Sequence, residues 1–94
     1  MTRVTLTGRL ICADAAEAGA VARHLPQHVQ LTRAEPGCLS FRVEQTADPL
    51  VWQVDELFSD EASFRAHQQR VAASDWGGAT AGIVREYRID PPQD

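Results

Sequence analysis

Apolar and polar residues alternate along four stretches of this chain, and each stretch predicts a strand. In the first, roughly residues 3–12, Val4, Leu6, Leu10 and Cys12 share one parity, while Thr5, Thr7, Arg9 and Ile11 share the other. Gly8 sits inside it, where a bulge or a close backbone approach is expected. Cys38–Gln45 alternates again, and so does Leu50–Phe58 after the turn residues Thr46-Ala47-Asp48-Pro49. A hairpin symmetric about that turn sets Val43 opposite Trp52 and Phe41 opposite Val54. One face is then strongly apolar, and the other carries Arg42, Glu44, Gln53 and Asp55. Ile83–Ile89 is the last strand, with Ile83, Arg85, Tyr87 and Ile89 on one side.

Helical spacing fills the gaps. Asp14 caps a helix, with Glu17 three residues on as in a capping box. Val21, Leu25, Val29 and Thr32 form one stripe. Pro26 interrupts it, which predicts a kink or two helices. Glu35-Pro36-Gly37 ends the element. Ser59 is read as the cap of the second helix, with Asp60 and Glu61 in its first turn. Phe64, His67 and Val71 share its inward stripe, and Ser74-Asp75 opens a further short turn. The order β-α-β-β-α-β predicts an α+β, ferredoxin-like plait: one antiparallel sheet with helices on one face. It is a single domain over residues 1–94, with a core of about 3–90 and a polar tail at 91–94.

With 94 residues, the chain has a thin core, and a partner chain is an expected source of further burial. Apolar residues are 44% and charged residues 23%, values of an ordinary globular fold. No stretch is long and apolar enough for a membrane helix, and the first residues lack the apolar core of a signal peptide. The expectation is a cytoplasmic protein without a membrane partner. The formal net charge of -4 offers no basic field for nucleic acid. All nine cationic residues are arginine, which with the many alanines points to a GC-rich bacterial genome. Cys12 and Cys38 have no metal or redox spacing and read as small, partly buried hydrophobes.

Two sets of residues carry a resemblance. Glu35-Pro36-Gly37-Cys38-Leu39-Ser40-Phe41-Arg42-Val43 resembles the helix-to-strand segment of the antibiotic biosynthesis monooxygenase (ABM) domain. Asp55-Glu56-Leu57-Phe58, followed by Glu61-Ala62, Phe64, Ala66 and His67, resembles that domain's third strand and second helix. The resemblance spans nearly the whole chain. It implies a homodimer in which two sheets close into a dimeric α+β barrel. It also implies a monooxygenase that oxidises a quinol or other phenolic aromatic with molecular oxygen and needs no cofactor. The alternative is a non-catalytic, small-ligand-binding or stress-associated barrel. Haem-binding and isomerase relatives share the fold.

His67 matches the family's second-helix histidine, and helical periodicity points it inward. A histidine takes a phenolic proton near neutral pH. His67 and Trp52 are therefore the candidate catalytic residues. Phe41, Glu56, Phe64, Trp76 and Tyr87 are the candidate substrate-binding residues. Glu56 breaks the apolar parity of its strand, so it is either paired, for example with an arginine, or a carboxyl of raised pKa. His24 and His28 lie four apart but flank Pro26 and lack further ligands, so no metal site is expected and both read as solvated or packed. Arg23, Arg65 and Arg70 read as solvated helix charges, with the alternative that one of them holds a ligand carboxylate or enolate. Family members often carry a second histidine after the second helix. The Gly- and Ala-rich segment 72–82 has none, which predicts a site with His67 alone.

Overall fold

The computed structural model describes residues 2–93. Its elements are β1 (Val4–Ile11), α1 (Ala15–Arg33), β2 (Cys38–Gln45), β3 (Val51–Phe58), α2 (Glu61–Ala72), α3 (Asp75–Ala79) and β4 (Val84–Asp90). The strands form one four-stranded sheet in the order β2-β3-β1-β4, antiparallel throughout. The α+β plait is the expected one. Val4, Leu6 and Leu10 of β1, with Trp52, Val54 and Phe58 of β3, point to the helices and are buried. Val21 and Phe64 cover them from α1 and α2.

Gly8 takes the close-approach role. A side chain there would strike the Glu86 carbonyl of neighbouring β4, so only glycine lets the two strands pair at this point. Asp14 Oδ1 accepts from the Glu17 amide at 3.0 Å. The Glu17 carboxylate accepts from the Ala13 amide at 2.7 Å, one residue earlier than a capping box requires.

Three local expectations change. α1 runs as one helix through Pro26 rather than two. Val21, His28 and Thr32 are buried along it, and that burial continues the helix across the lost hydrogen bond. α2 is capped by Asp60, not Ser59: Asp60 Oδ1 accepts from the Ser63 amide at 2.7 Å. The carboxylate is the better acceptor at a helix N-terminus.

The hairpin register also differs. Val43 lies opposite Val54, Phe41 opposite Glu56 and Gln45 opposite Trp52. The turn is asymmetric because Thr46 donates to the Val51 carbonyl at 2.9 Å, while Val51 donates to Asp48 at 3.0 Å. The hinge therefore sits one residue later than a turn centred on Ala47-Asp48. The partner shifts by two residues, which leaves every side chain on its predicted face. It does move Glu56 to a position between Phe41 of β2 and Leu6 of β1.

Candidate functional site

A pocket of about 170 Å³ opens between the sheet and the helices. The sheet contributes Leu6, Phe41, Val43, Val54, Glu56, Arg85 and Tyr87; α1 contributes His28, α2 His67, Gln68 and Val71, and α3 Trp76. Of the residues singled out from the sequence, the fold gathers His67, Phe41, Glu56, Trp76 and Tyr87 here. It places Trp52 and Phe64 elsewhere. Trp52 is buried on the helix face but lies four residues from Glu56 along β3, roughly 13 Å away. Its indole nitrogen has no hydrogen-bond partner among the described residues. Phe64 packs edge-on against Phe58, ring centroids 5.6 Å apart, and does not border the pocket.

His67 is 2% exposed and sits within a chain of polar contacts drawn from three elements. Glu35, in the loop after α1, accepts from Nδ1 at 2.8 Å. Arg70 Nε donates to the other Glu35 oxygen at 2.9 Å, and Arg70 Nη2 donates to Thr32 at 2.9 Å. Nδ1 thus carries the proton, and Nε2 is left as a bare acceptor. Among the described residues Nε2 has no hydrogen bond; Glu56 Oε1 is closest in charge terms at 3.6 Å, beyond bonding distance. Burial lowers the His67 pKa, and the Glu35 contact partly restores it. The ring is a neutral base at pH 7.

Glu56 has no arginine partner among the described residues, and its Oε1 is buried without a hydrogen bond. Burial, with the nearby Glu35 charge, pushes its pKa up to about 8. It is therefore a neutral acid at pH 7, facing the bare nitrogen of His67. Burial likewise pushes the Tyr87 phenol up to about 12, so it remains protonated.

Three polar residues of this site escaped the sequence reading of single positions. Arg70 is half-buried in the Glu35 pair rather than solvated. Glu35 was visible as a helix-ending residue and as part of the family-like segment, but not as the partner of His67, which lies 32 positions away. His28 supplies a second imidazole, from α1 and not from the segment after α2. Its ring centroid lies 6.1 Å from that of His67. Desolvation lowers its pKa to about 3, with the charges of His67, Arg70 and Arg85 adding to the effect. His24 does not reach the pocket. Among the described residues no group of three or more His, Cys, Asp or Glu is arranged to hold a metal ion.

The second imidazole stacks face to face on Trp76, centroids 4.3 Å apart and planes within 1°. Trp76 is carried by the five-residue α3, where Ser74 Oγ caps the Gly77 amide at 3.0 Å. Gly77 is required by contact: a Cβ there would meet the Val71 carbonyl. At the far end the Thr80 hydroxyl donates to the Trp76 carbonyl at 2.7 Å. Arg85 of β4 holds Thr80 at both its carbonyl and its hydroxyl, each at 2.8 Å.

An antiparallel plait enclosing an acid, two imidazoles and an indole defines a small α+β protein with a polar-lined aromatic pocket. The sequence model of the family described as "Antibiotic biosynthesis monooxygenase" matches residues 8–77, well over half of the chain, and the protein belongs to that family. Solved structures with the same fold include three of note. PA3566 from Pseudomonas aeruginosa is 25% identical, with a TM-score of 0.72 over 96% of this chain and 91% of that one. Rv0793 from Mycobacterium tuberculosis is 19% identical, TM-score 0.74, over 99% and 97%. SnoaB, a cofactor-independent oxygenase from Streptomyces nogalater, is 12% identical, TM-score 0.79, over 100% and 96%. No curated protein matches the chain in sequence. No helix of the structure is long and apolar enough to cross a membrane.

Proposed function

We propose that the protein is a cofactor-independent monooxygenase that oxidises a quinol or related phenol with molecular oxygen, and that His67 is its base. The observation that carries this reading is the Arg70–Glu35–His67 chain, which leaves one unprotonated ring nitrogen beside the aromatic pocket. Glu35 orients the imidazole and stabilises the imidazolium that forms when a proton arrives. Family membership supports the reaction class.

In this scheme His67 Nε2 takes the phenolic proton. The aryl oxide passes one electron to oxygen, and the two radicals combine through a new carbon–oxygen bond. The proton returns to the peroxide. The oxygenated ring carbon then gives up its hydrogen as a proton, and the C–H pair forms the new carbonyl as the O–O bond breaks. One oxygen stays on the ring, and the other leaves as water with both protons. Neutral Glu56 is the acid placed to hydrogen-bond the peroxide. Phe41, Trp76 and Tyr87 hold the ring and exclude water.

The working unit in this reading is a homodimer. The sheet face turned away from the helices carries Val84, 58% exposed, with Ile11, Val51 and Leu57 half-buried among charges. A second copy would cover it. Cys12 and Cys38 are both free thiols, which supports a cytoplasmic location. Oxygen uptake with a panel of hydroquinones and naphthols tests the reaction. Substrate-dependent uptake by the wild type that falls in His67→Ala supports it; no uptake by the wild type rejects it.

A further inference from the structure

Behind the His28–Trp76 stack lies a second pocket, of about 240 Å³, between α1, α2 and α3. Leu31, Arg70 and Ala73 line it, and His28 and Trp76 border both pockets. The stacked pair is thus the wall that the two pockets share. Among the described residues, His28 Nδ1 in this wall and Nη1 of the neighbouring Arg70 are buried without a hydrogen-bond partner. A polar group of a ligand reaching past the wall would find a hydrogen-bond donor there.

The wall is built to stay in place. His28 and Trp76 are 5% and 6% exposed. His28 is backed edge-on by Phe41 at 5.2 Å. Trp76 is held at one end by the Ser74 cap and the Gly77–Val71 contact. At the other it is held by the Thr80 and Arg85 hydrogen bonds. In front of the wall, about 170 Å³ remains. That is close to the roughly 150 Å³ cavity known to accept one benzene ring.

Resting on the reading of the first pocket as the aromatic site, we propose that the His28–Trp76 stack is the specificity determinant of this protein. It restricts the site to single-ring phenols, and its removal joins the two cavities and admits fused two-ring phenols.

Calorimetric titration with phenol and with 1-naphthol, without oxygen, tests this apart from turnover. Wild type should bind phenol at least tenfold more tightly than 1-naphthol. Trp76→Ala should close or invert that ratio, and His28→Ala should move it the same way from the other side of the stack. Trp76→Phe keeps a ring against His28 and should retain the discrimination. Circular dichroism establishes that each variant is folded, and either opening variant alone suffices. Equal affinity of wild type for the two ligands overturns the proposal. So does a ratio unchanged in the folded opening variants, or no binding of either ligand by wild type. A shifted ratio in a protein that consumes no oxygen leaves this inference standing and removes the monooxygenase reading.

Discussion

Glu35 Oε1 lies 2.8 Å from His67 Nδ1, a contact between the end of the first helix and the middle of the second. It sets the tautomer of the imidazole proposed as the base. Glu35→Gln removes the charge that raises the His67 pKa and that stabilises the imidazolium. We expect kcat/KM to fall about tenfold to a hundredfold, the cost seen where a metal-ligating histidine loses such an orienting carboxylate. The acidic limb of the pH–rate profile, already below the ordinary value of 6.5, should move lower still. A fall in rate with an unmoved limb would show that Glu35 acts only through packing.

Glu56 titrates near 4.5 when unfolded and near 8 in the folded protein. Between those values the folded state keeps a proton that the unfolded state has released. Its contribution to stability is therefore complete below pH 4.5 and is lost as pH rises toward 8. Glu56→Gln has no proton to release. Denaturant titrations across this window should show the variant gaining on wild type by a few kcal/mol, in order of magnitude, as pH rises. A constant difference would mean the carboxyl is not neutral in the fold.

His28 behaves in the opposite sense. Its pKa is about 3 folded against 6.5 unfolded, so the unfolded state binds a proton that the folded state refuses. Stability from this residue is complete above pH 6.5 and is lost as pH falls toward 3. His28→Phe keeps a ring on Trp76 but cannot be protonated. Thermal melts between pH 6.5 and 4 should show it losing less stability than wild type on acidification.

Gly77 has the Val71 carbonyl where a side chain would go. Gly77→Ala should displace α3 and cost about 1–3 kcal/mol, as for an overpacked site. Trp76 moves with α3, so its fluorescence should change along with the melting temperature. A variant with unchanged emission and stability would contradict this account of what seats the indole.

Val84 stands on the open sheet face, 58% exposed. Val84→Arg places a charge at the proposed subunit contact, where desolvation disfavours it. Sedimentation should show wild type at twice the 10.3 kDa chain mass and the variant shifted toward the monomer. A wild type that stays monomeric at micromolar concentration rejects the dimer.

Much of the fold was legible because its signals are local. Strand alternation has a period of two and survives any even shift in pairing, so the faces of β2 and β3 were right while their partners were not. The inward stripe of α2 likewise placed Phe64 and His67 in the core. Trp52 shows the limit: parity reports the face of a sheet but not the distance along it, and the indole lies too far up β3 to meet His67. Glu35, Arg70 and His28 show the limit from the other side. Each looks like an ordinary helix or loop residue until the chain closes over it.

By itself, the sequence determined the order of the strands and the two long helices, the buried face of each strand and the inward direction of His67, while the short helix α3 was visible only as a turn. Short-range periodicity and caps suffice for these. Only the tertiary structure decided the proton chemistry. The Glu35 contact, the neutral acid at Glu56 and the stacked His28–Trp76 wall all depend on which distant residues meet and how much water they exclude. Desolvation and long-range pairing are properties of the assembled fold, and no local pattern encodes them.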